Sequence, residues 1–254
     1  MARIWTRNET IQAFNLYCKT PFGRIHTRNP EIIKLAKRLD RTPSSVALKL
    51  ANLARLDPAL QRRNISGASH GSKMDVVVWN EFHQNWDGLA FESELLRSQL
   101  DNDGRLEAAE DTTEFPEGLT REAVVKARGN QQFFRAAVLA AYGNRCCITG
   151  LPMPELLVAS HIVPWKVDAT NRTNPRNGLC LNALHDKAFD LGLLTVTRKL
   201  TVVLAPELLK KSPLSGVREF FLKYKDASME APSRFSPDPA FLEYHNDTIF
   251  RRCL

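Results

Sequence analysis

Three polar side chains, His161, Asn177 and His185, follow one another within an apolar frame in the second half of the chain, and two carboxylates, Asp186 and Asp190, close the run. An imidazole is basic yet largely neutral near pH 7, so a histidine here is a candidate to take a proton from water. Imidazole and carboxylate groups are also ligands for divalent cations. An asparagine amide both donates and accepts, so it can tie two stretches of backbone together. The chemistry open to such a set is hydrolysis. Each member alone carries less: a single histidine is more often a satisfied structural residue, and Asn177-Gly178 is also a common hairpin turn.

The elements that must position these residues can be read from the flanking sequence. Residues 131–142 have the composition of a helix, which Gly143-Asn144 stops, and 145–150 reads as a short strand entering a turn. Residues 156–163 contain enough β-branched side chains for a strand that Pro164 ends. After a polar loop over 166–176, Asn177 opens a second strand, and 182–190 suits a short helix. Residues 193–197 and 200–204 then form a hairpin turning at Arg198-Lys199. His161 therefore ends one strand, Asn177 opens the next, and His185 rides on a helix packed over both.

The runs Ala159-Ser160-His161-Ile162-Val163-Pro164-Trp165, Asn174-Pro175-Arg176-Asn177-Gly178-Leu179-Cys180-Leu181 and Leu184-His185-Asp186-Lys187-Ala188-Phe189-Asp190-Leu191-Gly192 resemble HNH nucleases of the ββα-metal fold. They are most similar to the HNH domains at the C-terminus of bacterial restriction-type endonucleases. The likeness begins near Arg128 and Arg135 and runs to about residue 204. It implies that His161 is the general base, that Asn177 holds the base in place by spanning the two strands, and that the helix-borne His185 is a metal ligand. It also implies a divalent cofactor, Mg²⁺ or another first-row ion such as Mn²⁺, and double-stranded DNA as substrate. One departure concerns the metal shell. Many such sites carry Asp or His directly before the general base, whereas this chain has Ser160, a poor ligand. Asp190 or Asp186 could supply a carboxylate instead, although Asp190 and His185, five positions apart, point about 140° apart on a regular helix. Arg172, Arg176 and Lys187 border the centre and are candidates for phosphate contacts, with Arg128 and Arg135 on the preceding helix in the same position.

The N-terminal part reads as helical. Thr6 caps a first helix with Ile11, Phe14, Leu16 and Tyr17 as its apolar stripe, and Asn29-Pro30 and Thr42-Pro43 start two more. The short link Leu39-Asp40-Arg41-Thr42 between them resembles a helix-turn-helix, and Lys34, Lys37, Arg38, Arg41 and Lys49 suggest that it contacts DNA; a plain helical hairpin is the simpler reading. Residues 74–100 are expected to be helical with an interruption near Gly88, and Val77, Val78, Trp79, Phe82, Trp86 and Phe91 to pack in a core. The fold class expected is therefore α+β: a mainly helical N-terminal domain over 1–100, an acidic linker over 101–120, and a ββα-metal nuclease domain with flanking helices over 121–254.

Composition narrows the function classes. The chain of 254 residues has a formal net charge of +7, yet its segment 101–120 holds seven acidic residues against one basic one. The two flanks are thus strongly basic, which fits a polyanionic partner. Five cysteines, two of them adjacent and none in a Cys-x-x-Cys pair, argue against a disulfide framework and against a four-cysteine zinc site. The sequence has no membrane span and its N-terminus has no signal-peptide core, so a cytoplasmic protein is expected. Cutting both strands invites a homodimer, for which the segment after residue 205, with Leu208, Phe220, Phe221, Phe241, Tyr244 and Ile249, is either interface or cover for the nuclease core. The competing reading is a non-catalytic DNA-binding regulator with a degenerate HNH domain, kept open by Ser160 and opposed by the presence of both histidines.

Overall fold

Thr6 and Glu9 start the first helix reciprocally: the Thr6 hydroxyl accepts from the Glu9 N–H, and the Glu9 carboxylate accepts from the Thr6 N–H. The computed structural model describes residues 3–64, 71–102 and 121–252. The chain divides into two compact units, Met1–Ala136 and Ala137–Leu254. Most of the acidic segment expected as a linker lies outside the described residues.

In the N-terminal unit, α1 (Arg7–Lys19) is followed by α2 (Pro30–Arg38), α3 (Pro43–Ala54), α4 (Pro58–Arg62), α5 (Lys73–Phe82) and α6 (Trp86–Asn102). α1 is central: Ile11, Ala13, Phe14, Tyr17 and Cys18 are fully buried, and α2, α3, α5 and α6 pack around it. Asn29 and Thr42 cap α2 and α3 as expected, each followed by its proline. The short turn between those helices passes through Asp40 at φ 50°. Phe14 meets Trp79 at 5.0 Å and Trp86 at 6.4 Å between ring centroids, so these aromatics are core. Val77 and Phe91, expected beside them, turn outward. The break expected near Gly88 falls earlier, between Phe82 and Trp86, because Asn85 Oδ1 accepts the Gly88 N–H (3.0 Å) and restarts the helix.

α7 (Arg121–Ala141) runs from the first unit into the second and begins well before the helix expected from residue 131. No strand forms over 145–150. Gly150 adopts φ 71° and its N–H returns to the Cys146 carbonyl (2.8 Å), which closes the segment into turns. β1 (Leu157–His161) and β2 (Gly178–Asn182) pair antiparallel, with Leu157 opposite Asn182 and His161 opposite Gly178. α8 (Ala183–Asp190) packs across both strands, giving the ββα unit. The expected hairpin follows as β3 (Leu194–Val196) and β4 (Val202–Leu204).

Beyond it, α9 (Pro206–Lys210), α10 (Ser215–Phe220), α11 (Pro239–Tyr244) and a π-helical turn at His245–Ile249 cover this unit. Leu208, Leu242 and His245 are buried. Gly192, at φ 67°, lets the last turn approach the end of α8, since a Cβ there would lie 2.1 Å from the Ile249 carbonyl oxygen. The His245 ring stacks on Phe189 with centroids 3.6 Å apart. Its Nε2–H donates to the Phe189 carbonyl (3.1 Å), and its Nδ1 meets the Thr195 hydroxyl (2.8 Å).

His245 makes the fold acid-sensitive. Burial, opposed by the Phe189 carbonyl, lowers its pKa to about 4 from the ordinary 6.5. The unfolded chain therefore takes up this proton first as pH falls. The contribution is intact above about pH 6.5 and is lost progressively toward pH 4, a change on the order of 3 kcal/mol. Urea midpoints measured from pH 7 to pH 4.5 should fall more steeply for the wild type than for His245→Gln; parallel profiles would contradict this.

Candidate active site

His161 sits at the end of β1, where the pairing with β2 stops. Its Nε2 lies 2.9 Å from the Arg172 carbonyl oxygen, an acceptor only, so Nε2 carries the hydrogen and the basic lone pair is on Nδ1. Burial lowers the pKa of this ring, with the Arg172 carbonyl and the Asp186 charge acting the other way. A neutral imidazole with its tautomer fixed by backbone is the state a proton acceptor needs near pH 7.

Asn177 is 1% exposed and holds the end of β1 through its amide. Its Oδ1 accepts the Val163 N–H (2.8 Å), and its Nδ2 donates to the carbonyls of Val163 (3.1 Å) and Asn171 (3.3 Å). The Asn177 carbonyl also accepts the Ile162 N–H (3.0 Å). One side chain thus ties the segment after His161 to the loop that carries Arg172. Removing it strands buried backbone groups: Asn177→Ala should cost about 3 kcal/mol in urea unfolding. An unchanged midpoint would show that the loop is held by other means.

The loop is braced further at Trp165. The Arg172 guanidinium lies 5.2 Å from that ring and its Nε–H donates to the Trp165 carbonyl (2.8 Å), while His161 meets the ring edge-on at 5.5 Å. Asp168 accepts from the backbone N–H groups of Thr170 and Asn171 (3.0 and 3.2 Å) and closes the turn between.

On α8, Asp186 and Asp190 are one turn apart and share a face. Burial raises both carboxyl pKa values; Asp190 is raised further by the charge of Asp186, whereas the Ser160 hydroxyl, Lys187 and His161 favour the Asp186 carboxylate. Neither has an ion pair among the described residues. Ser160 Oγ is buried with no hydrogen bond of ordinary geometry, although it lies close enough to Asp186 to act on its carboxylate. Asp186 thus links His161 and Ser160 on one side to Asp190 on the other, and Lys187 supplies positive charge to both carboxylates without an ion pair to either among the described residues.

The structure does not bring His185, the metal ligand that the resemblance implies, together with Asp190. α8 runs unbroken through Asp190, so the helical phase that joins Asp186 to Asp190 turns His185 the other way. His185 is 2% exposed. Its Nδ1 accepts from Asn182 Nδ2 (3.1 Å) and its Nε2–H donates to the Phe220 carbonyl (2.7 Å). Phe221 and Tyr224 meet the ring edge-on at 5.5 and 5.6 Å. Cys146 is its other neighbour. The sequence signal for this structural role was Asn182, which caps α8 by accepting the His185 N–H (2.9 Å).

Of the basic residues expected at DNA, Lys187 is exposed beside the two aspartates. Arg176 is exposed and ion-paired to Asp238 (3.0 Å), and Arg172 braces the Trp165 loop as described. Arg135 is exposed on α7, and the Arg128 side chain lies outside the described residues. Lys49 and Arg41 are corrected. Lys49 is 3% exposed and salt-bridged to Asp75, itself fully buried. The Arg41 guanidinium forks onto Glu9 (2.8 Å), donates to the Arg3 and Ile4 carbonyls and covers the Trp5 ring at 4.2 Å. Both serve the N-terminal fold.

Among the described residues no three His, Cys, Asp or Glu side chains stand together as a ready metal cage. No helix there is long and apolar enough to cross a membrane. Residues 146–197 match the family model HNH_2, described as HNH endonuclease. That span holds both strands of the ββα unit, α8 and every residue of the group around His161, so the C-terminal unit carries an HNH endonuclease domain. No curated protein matches the chain.

Proposed function

We propose that the protein is a divalent-metal-dependent endonuclease that hydrolyses DNA phosphodiester bonds, with His161 as general base and Asp186 and Asp190 as the metal-holding face. The observation that carries this reading is a backbone-oriented imidazole that feels the charge of Asp186, itself one turn from Asp190, inside the matched HNH span. Two carboxylates suit a hard cation such as Mg²⁺ or Mn²⁺, whose remaining ligands would be water and phosphate oxygens. Once bound, the ion supplies positive charge for the phosphorane and the 3′ leaving oxygen. His161 Nδ1 removes the proton from a water as its oxygen attacks phosphorus, the bond to the 3′ oxygen breaks and that oxygen takes a proton from solvent, and the imidazolium returns its own proton to solvent. Asn177 and the Arg172 carbonyl keep the ring in register. Lys187, exposed beside the aspartates, contacts the phosphate.

The purpose that fits best is restriction or anti-phage defence in the cytoplasm, with the N-terminal unit contacting and selecting the target. Cleavage of both strands by one centre per chain calls for a homodimer. Plasmid cleavage by the wild type and by His161→Ala tests the reading: loss of cutting with retained DNA binding supports it, and full activity of the variant refutes it.

A further inference from the structure

A cleft of about 710 Å³ opens in the N-terminal unit between the segment before α1, the α2–α3 turn, one face of α3 and the residues just before α5. That size lies within the range of about 300–1,000 Å³ usual for small-molecule sites. Its three cations, Arg3, Arg41 and Lys49, are matched by Glu9, Asp40 and Asp75, so an anion would meet no free positive charge there. The rest of the wall is apolar or uncharged. Ser45, Leu48 and Asn52 follow one another a turn apart along α3 and all line the cleft. Leu48 is 56% exposed. The half-buried Trp5 ring lies 4.2 Å from the Arg41 guanidinium and 4.8 Å from the Lys49 ammonium. Asn52 is the unsatisfied member. It is 8% exposed, its amide makes no hydrogen bond among the described residues, and its Oδ1 is buried without a partner. A buried amide carbonyl without a donor is costly, and a ligand N–H would relieve that cost. The terminal torsion of an asparagine is broad, so a half-turn that exchanges oxygen and nitrogen can present either atom to the cleft.

We propose that this cleft takes an uncharged nucleobase, adenine first among them, and reads it through the Asn52 amide. An amide pairs edge to edge with a ligand that offers a donor beside an acceptor, as adenine does with N6–H and N7. Trp5 and Leu48 supply apolar surface for the body of the heterocycle. The base is assigned to DNA, an assignment that rests on the proposed function. Because Asn52 is recessed, a base must leave the duplex stack to reach it, and this costs least where the base is already unpaired. The cleft would then let the N-terminal unit choose targets by a base turned out of the duplex.

The test uses the full chain in EDTA, so that binding is read without cleavage. Adenosine and inosine are compared by equilibrium dialysis, since hypoxanthine carries an acceptor where adenine carries the N6–H. The wild type should hold adenosine about tenfold more tightly, the size of one mismatched base-edge pair. A duplex with one unpaired adenine should likewise be preferred about tenfold over the same duplex with unpaired hypoxanthine. Both preferences should vanish in Asn52→Leu, whose Tm should equal or exceed that of the wild type because the substitution removes an unpaired buried amide. Equal binding of the two bases by the wild type in both arms, a result that needs no variant, would overturn the site, as would a preference that survives in Asn52→Leu. A preference confined to the nucleosides would give the cleft to a free nucleoside and overturn its assignment to DNA. Neither arm depends on cleavage, so a failure of the nuclease reading would be seen separately.

Discussion

Replacing Asp186 and Asp190 together by asparagine is expected to abolish metal-dependent cleavage while leaving the metal-free fold as stable as before, or more so. The two carboxylates share a face of α8, burial raises both pKa values, and Asp186 raises that of Asp190 further, with no counter-ion hydrogen-bonded to either. Like charges one turn apart are destabilising in an isolated helix, so neutralising them relieves repulsion. On the proposed mechanism, the same change would remove the ligands of the ion that stabilises the transition state. That stabilisation is worth several kcal/mol, or about three decades in rate. Single-turnover cleavage across a Mg²⁺ titration and urea midpoints in EDTA would measure the two effects. His185 provides the control, because both its ring nitrogens are engaged within the fold. A His185→Ala variant that kept its urea midpoint but lost metal dependence would move the ion to His185 and refute the assignment to α8's other face.

His161→Ala is expected to slow the chemical step by about 10²–10⁴-fold, the usual contribution of a positioned general base. The ring's place is set by the Arg172 carbonyl, the Trp165 edge and, through the loop, Asn177. On the proposed mechanism these contacts orient the ring, that of Arg172 through its backbone carbonyl, so the loss should fall on kcat with KM little changed. Binding to duplex DNA measured by fluorescence anisotropy should match the wild type. A variant that loses binding in step with activity would assign His161 to substrate holding instead.

The frame around the site was legible because it rests on local rules. Proline after β1, the capping Asn182 and the β-branched Val158, Ile162 and Val163 around His161 each act within a few positions, and the ββα unit lies where they put it. The proposed metal face was harder to read. His185 and Asp186 are adjacent, so about 100° of helical phase decides which of them faces His161. The incompatibility of His185 with Asp190 was visible in the spacing, but its resolution needed the aromatic wall of Phe221 and Tyr224, remote in sequence. Long-range partners also explain Lys49 and Arg41. Basic residues in a helical hairpin read as surface charge until Asp75 and Glu9 are seen to take them up. The missing strand at 145–150 has a local cause, the positive φ at Gly150, that hydropathy alone does not register.

The account turns on metal-dependent hydrolysis at the His161 centre. The most direct measurement is cleavage of supercoiled plasmid DNA by the purified wild-type protein in Mg²⁺, in Mn²⁺ and in excess EDTA, on unmodified and base-modified plasmids. The predicted result is nicked or linear product with metal, none with EDTA, and recovery when metal is restored. Cutting that persists undiminished in EDTA, or salt-sensitive DNA binding with no cutting of any plasmid in either metal, would contradict it; the latter would favour a DNA-binding protein with an inactive HNH domain.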